Sequence, residues 1–173
     1  RSMLDISKLQ SGNIELAPTS INVMDMLVSV QNTYSRFLET NGYKLILDAE
    51  DKDYYIRADK QRLEQVLYNL INNAITHAGE DKTVILRAAV NDRMMRFDII
   101  DHGEGIPKDE LPLIWQRYYK VDKTHVRPET GSGLGLSIVR TILDLHKAEY
   151  GVESEVSKGS DFWFRLPLEE NEV

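Results

Sequence analysis

Along residues 60–78 the apolar side chains fall at Leu63, Val66, Leu67, Leu70, Ile71, Ala74, Ile75 and Ala78. Steps alternating between three and one put them on a single stripe only if the segment is helical. Asp59 precedes the stripe and supplies an oxygen for the free N–H groups of a first turn, so a helix is predicted from Lys60 to Ala78. A second helix is predicted from near Asn22, which with Asp25 approximates a capping box, to Asn41-Gly42. Alternating positions (Tyr43, Leu45, Leu47; Tyr54, Ile56, Ala58) predict half-buried strands at 43–48 and 54–58. Two strand pairs follow the same period: 83–90 with 93–100 across a break at Asn91-Asp92, and 149–156 with 160–168 across Lys158-Gly159. Shorter helices are predicted around 109–116 and 134–147. Residues 1–12 read as the end of a helix closed by Gly12, and Ile14, Leu16 and Pro18 as an extended connector. Hairpin-type strand pairs set between long helices predict an α+β fold, with helices layered on a mixed sheet.

Composition narrows the functions open to such a fold. The 173 residues are 42% hydrophobic and 28% charged, enough apolar material for a core. There is no cysteine, which removes disulfides, cysteine nucleophiles and thiolate zinc sites together. Lys and Arg number 21 against 28 Asp and Glu, a net charge of −7, so general nucleic-acid binding is not expected. No apolar run approaches the roughly 20 residues that a membrane-spanning helix requires. The chain opens on Arg1 without a signal-peptide pattern, and we expect a segment of a longer protein.

Three stretches carry candidate chemistry. On the 60–78 helix, Asn69, Asn73, Thr76 and His77 fall within an arc of roughly 100° beside the apolar stripe, so two amides spaced i, i+4 can face one ligand. In Asp101-His102-Gly103-Glu104-Gly105-Ile106, Asp101 continues the apolar phase of Met95, Phe97 and Ile99. A carboxylate aimed at the core costs several kcal/mol unless something donates to it, so it reads either as the side chain closing a turn on its own backbone or as an acceptor waiting for an amine. Third, Arg117–Pro128 carries four cations (Arg117, Lys120, Lys123, Arg127) and one acid (Asp122) in an acidic chain. A polar stretch of this length is read as a functional lid, a disordered segment or a solvated surface loop. It runs into Gly131-Ser132-Gly133-Leu134-Gly135-Leu136 ahead of a helix, where free N–H groups and the helix dipole favour phosphate. The Gly-Lys ending of a phosphate loop is absent, and the dinucleotide fingerprint fails at Leu136. His77, His102, His125 and His146 lack the spacing of a zinc hydrolase, and His146 reads as a cap on its own helix end.

Together these stretches resemble the catalytic and ATP-binding domain of bacterial sensor histidine kinases, in the ATPase superfamily that also holds gyrase, the Hsp90 chaperone and MutL. ADKQRLEQVLYNLINNAITHA looks like the asparagine box and DHGEGI like the first glycine box. LPLIWQRYYKVD resembles the phenylalanine box, GSGLGL the second glycine box, and SKGSDFWFRLPL the closing hairpin. The resemblance implies a Bergerat-type two-layer sandwich: a mixed, mostly antiparallel sheet covered on one face by helices. It implies residues 1–17 as the end of a dimerisation and phosphoacceptor helix with its connector, and residues 18–173 as the catalytic domain.

Mg²⁺ and ATP are the implied ligands. Asn73 would hold the metal, and Asn69 would support the phosphates or the water around the ion. Asp101 would accept from the adenine amine, with Gly103 and Gly105 letting the ring lie against backbone. His77, Ile106 and Ser160 would complete the nucleotide site. Tyr119 and Lys120 would flank the nucleotide, and Gly131, Ser132, Gly133, Leu134, Gly135 and Leu136 would fold over the triphosphate. Asn69 and Lys120 would be the catalytic pair. The sequence departs from the family pattern at Thr76, where a basic residue is common, and at Lys120, where arginine is common. Trp115 and Tyr118 replace phenylalanines, and Ser157 replaces a glycine. The phosphoacceptor histidine box does not occur. The implied partners are a homodimerising histidine domain and a response regulator, on the cytoplasmic side, with no nucleic acid and no direct membrane contact. Two other readings stay open: a nucleotide-binding pseudokinase acting as an interaction module, and a hydrolytic ATPase of the same superfamily.

Overall fold

In the computed structural model, residues 7–8, 11, 13–119 and 135–170 are described. The elements run β1 (Thr19–Asn22), α1 (Val23–Asn41), β2 (Lys44–Ala49), β3 (Tyr55–Ala58), α2 (Lys60–His77), β4 (Thr83–Asn91), β5 (Met94–Asp101), α3 (Gly135–Leu145), β6 (Glu149–Glu155) and β7 (Gly159–Pro167). Five strands form one sheet in the order β2-β4-β5-β7-β6, with β2 and β4 parallel and the other pairs antiparallel. The helices cover one face, so the fold is the α+β two-layer sandwich that the resemblance implies.

Both long helices begin where side chains meet their free N–H groups. Asn22 accepts from the Asp25 N–H at 3.1 Å, and Asp59 accepts from the Arg62 N–H at 3.2 Å. Gly42 closes α1 in the left-handed region at φ 75°, where only glycine avoids a steric cost. The stripe of α2 is buried at Leu63, Val66, Leu67, Leu70, Ile71 and Ala74 against Phe97, Ile99, Phe162 and Phe164 of the sheet and Ile142 and Leu143 of α3. His146 does more than cap its own helix. Its Nδ1 lies 2.8 Å from the Ile142 carbonyl, while its Nε2 accepts from the Asp59 N–H at 3.1 Å. The end of α3 is thereby tied to the start of α2.

Three local expectations are corrected. The segment predicted as a helix around 109–116 runs instead through successive turns, in which Glu110, Leu113 and Gln116 each donate to the carbonyl three residues back. Pro112 sits in the middle, removes an N–H and biases Leu111 away from helical backbone. The β4–β5 hairpin turns at Asp92-Arg93, both at positive φ, one residue later than Asn91-Asp92. A short strand at Thr19–Asn22, absent from the sequence reading, pairs with β3 as a separate ribbon and buries Ile21 against Ile56. Most of the helix predicted over 1–12, with Gly12, lies outside the described residues.

On the uncovered face, Arg96 of β5 lies 4.6 Å over the Trp163 ring and pairs with Asp98 at 2.9 Å. Asp161 stands beside them with a buried Oδ1 that has no hydrogen-bond partner among the described residues. Burial and the neighbouring Asp98 push its carboxyl up to about 7, although Arg96 opposes the rise. The unfolded chain therefore releases this proton first, and stability is lost between about pH 4 and pH 7 as the pH climbs. Asp161→Asn is expected to stabilise the fold by about 1–2 kcal/mol at pH 8 and by nothing measurable at pH 3.5. Urea unfolding at the two pH values checks this, and equal shifts at both would contradict it.

Candidate functional site

The inner, helix-covered face of the sheet ends in one row of residues. The register places Leu45, Val84, Asp101, Ser160 and Ser154 side by side across β2, β4, β5, β7 and β6. Each continues the buried phase of its strand, and the next row inward is Leu47, Leu86, Ile99, Phe162 and Val152. An apolar layer thus changes, at its last row, into a patch of one carboxylate and two hydroxyls.

Asp101 is 2% exposed, as its phase in the sequence predicts. Its Oδ1 accepts from the Gly103 N–H at 2.9 Å. Burial pushes its carboxyl above the usual value, and the Gly103 N–H, His77, His102 and the Ser160 N–H hold part of the rise back. Such a carboxylate gains from any further N–H donor that reaches it. His102 in turn stands 2.7 Å from Asp81, and His77 lies more loosely, 3.8 Å from Glu104.

The loop after Asp101 is wedged between α2 and the β6–β7 hairpin. A Cβ on Gly103 would stand 1.7 Å from the His77 carbonyl oxygen, and one on Gly105 would stand 2.2 Å from the Glu155 carbonyl. These glycines are thus required by backbone packed on backbone. The sequence reading gave them only the task of admitting a flat ring. The Ser157 N–H donates to the Glu104 carbonyl at 2.8 Å and the Ile106 N–H to Ser154 Oγ at 2.8 Å, so the hairpin straps the loop from the other side.

On α2, Asn69, Asn73 and His77 recur every fourth residue along one stripe. The Asn69 Nδ2 is buried and has no hydrogen-bond partner among the described residues, an unusual state for an amide and one that fits an anionic acceptor supplied from outside. Asn73 is half-buried. Thr76 spends its hydroxyl on the Asn72 carbonyl at 2.9 Å and offers no charge. Tyr119 donates to Glu110 at 2.6 Å. Leu136 packs on the core, while a Cβ on Gly135 would meet nothing within 4 Å among the described residues. Lys120, Gly131, Ser132, Gly133 and Leu134 lie outside the described residues. The structure thus brings Asp101, Gly103, Gly105, Ile106 and Ser160 together at one sheet end, with His77 against them and Asn73 and Asn69 one and two turns back along α2.

Three members of this end escape the sequence pattern. Gly79 packs under the His102 carbonyl, and Gly159, at φ 109°, packs under the Asp101 carbonyl. Ser154 joins the Ile106 N–H, the Gly159 carbonyl and Ser160 Oγ. Ser154 did leave a signal: it is a polar residue in the apolar phase of Tyr150 and Val152, the same mark that singles out Asp101.

A family model described as histidine kinase-, DNA gyrase B-, and HSP90-like ATPase matches residues 58–170. The sensor histidine kinase YclK of Bacillus subtilis (strain 168) is 32% identical over 95% of this chain, which spans 35% of YclK. The autoinducer 2 sensor kinase/phosphatase LuxQ of Vibrio vulnificus (strain YJ016) is 30% identical over 98% of this chain, which spans 20% of LuxQ. The chain therefore covers about a third or less of these relatives. Among solved structures, full-length ShkA in complex with AMPPNP superposes with a TM-score of 0.84 at 27% identity, over 98% of this chain and 35% of that one. The nucleotide-free catalytic domain of the histidine kinase ThkA gives 0.75 at 25% identity, over 88% of this chain and 96% of that domain.

Proposed function

The chain belongs to the histidine kinase-, DNA gyrase B-, and HSP90-like ATPase family, and we propose that it is the ATP-binding kinase module of a sensor histidine kinase. In this reading it binds Mg·ATP and donates the γ-phosphoryl group to a histidine on a dimerisation domain outside this chain, for relay to a response regulator. The observation that carries it is the buried Asp101 carboxylate, set at the end of an apolar layer beside two hydroxyls. An adenine ring lies flat on such a layer and brings a further donor in its exocyclic amine. The names of the relatives and the nucleotide analogue bound in ShkA support the same ligand.

The residues present also fit the tail of the nucleotide. The unpartnered Asn69 Nδ2 donates to a phosphate oxygen, and Asn73 offers a neutral oxygen one turn on. Among the described residues no three His, Asp or Glu side chains group to hold a metal. Asn73 would hold Mg²⁺ through this one neutral side-chain oxygen, a donor that a hard cation accepts beside phosphate oxygens and water. When bound, the ion neutralises phosphate charge. This chain's own contribution is to orient the nucleotide, with Lys120 adding a further cation, since phosphoryl transfer asks mainly for positioning and charge neutralisation. Asn69 stands where hydrolytic members of the superfamily carry a glutamate base, and an amide takes no proton from water. Residues 1–17 are the end of a dimerising helix with its connector in this reading, and the parent is a homodimer working on the cytoplasmic side. Among the described residues no helix is long and apolar enough to cross a membrane.

The test mixes the chain with γ-labelled Mg·ATP and a separately expressed dimeric helical domain carrying a histidine. Acid-labile label on that domain is expected, with little phosphate released by the chain alone. Rapid release of free phosphate and no labelled domain would favour the hydrolytic reading.

A further inference from the structure

We infer that Ser154 is a positioning residue for base specificity: it fixes the hydroxyl proton of Ser160, so that this end of the site presents only acceptors to the purine edge. The inference rests on the ATP-binding reading and deepens it.

A serine hydroxyl donates once and accepts twice. Around Ser154 Oγ stand three partners. The Ile106 N–H lies at 2.8 Å and can only donate. The Gly159 carbonyl lies at 2.9 Å and can only accept, so it takes the Ser154 proton. Ser160 Oγ, at 2.8 Å, is left a single role: it donates to Ser154. Ser160 is 7% exposed and sits opposite Asp101 in the ladder. With its proton committed to Ser154, it offers lone pairs alone on the side facing Asp101.

Asp101, ionised, also only accepts, and it already takes the Gly103 N–H. Two neighbouring acceptors match a 6-amino purine, whose amine donates directly or through a water. They oppose a 6-oxo purine, whose carbonyl oxygen would face them without a donor. Buried polar groups left unmatched in this way are a strong source of discrimination. Ser154 touches no part of the ligand in this account and acts through Ser160 and through the Ile106 N–H.

The experiment is calorimetric titration of the whole chain with ATP and with inosine triphosphate, which carries oxygen at position 6 and adds no bulk elsewhere. The parent chain is expected to prefer ATP. In Ser154→Ala the Ser160 hydroxyl is freed to donate, and the preference is expected to shrink about tenfold, with part of the change coming from tighter inosine triphosphate binding. Ser154→Thr, which keeps the hydroxyl, is expected to restore the parent ratio. Ser160→Ala is expected to lose the preference to the same degree as Ser154→Ala, and adding Ser154→Ala to it should change the ratio no further. A merely structural role would weaken both nucleotides together, so an unchanged ratio in Ser154→Ala overturns the inference while leaving ATP binding intact. Failure of the parent chain to bind either nucleotide overturns the ATP-binding reading itself, and this inference with it.

Discussion

Asp101→Asn is expected to weaken ATP binding by on the order of 1–3 kcal/mol, about 5- to 150-fold, because a mismatched amide then occupies the buried acceptor position. The carboxylate is 2% exposed, so solvent does not replace what the ligand loses. The same burial separates this effect from unfolding. Burial raises the Asp101 carboxyl above its usual value, which means that its charge costs stability in the folded chain at neutral pH. Replacing it by a neutral isostere should leave the melting temperature unchanged or slightly higher. Titration calorimetry and thermal unfolding on one preparation separate the two. Equal ATP affinities for variant and parent would show that the nucleotide does not contact Asp101.

Gly103→Ala is expected to destabilise the fold by roughly 3 kcal/mol, well beyond an ordinary surface change, because an added methyl must displace backbone. Its Cβ would stand 1.7 Å from the His77 carbonyl oxygen and 2.9 Å from Asp101 Oδ1. Relief requires the loop to withdraw from the end of α2, and with it goes the N–H that holds the Asp101 carboxylate. Stability and ATP affinity should therefore fall together, unlike in Asp101→Asn. Gly135→Ala is the control. No described residue lies within 4 Å of its added Cβ, and alanine favours the helix it begins, so its stability is expected to stay within about 1 kcal/mol of the parent or above it. Urea unfolding curves for both variants decide the point, and similar midpoints would contradict the packing described.

How far the site could be read from the chain depended on whether each feature was local. Helical periodicity gave α2 almost to the residue, and strand phase alone placed Asp101 on the inner face. The caps at Asn22 and Asp59 were equally legible, because a cap is written within four residues. The turns at 108–118 were misread because the weight of apolar residues masked the one feature that mattered, Pro112. The β1–β3 ribbon was not legible: four residues hold too little alternation, and its partner lies far along the chain. Gly79 and Gly159 were missed for the same reason, since each packs on backbone that only the tertiary fold brings close, whereas Ser154 carried a local mark, its polar side chain in the apolar phase of Tyr150 and Val152. For Gly103 the position was right and the reason was incomplete, because the contact with the His77 carbonyl comes from packing between elements.

The most direct measurement is titration calorimetry of the unmodified chain with ATP, first without and then with Mg²⁺. Saturable binding of one nucleotide per chain is predicted in both conditions, tighter with the cation and lost or strongly weakened in Asp101→Asn. Absence of any binding heat, with and without Mg²⁺ and across temperatures, would contradict the account and leave the fold as a scaffold without a nucleotide.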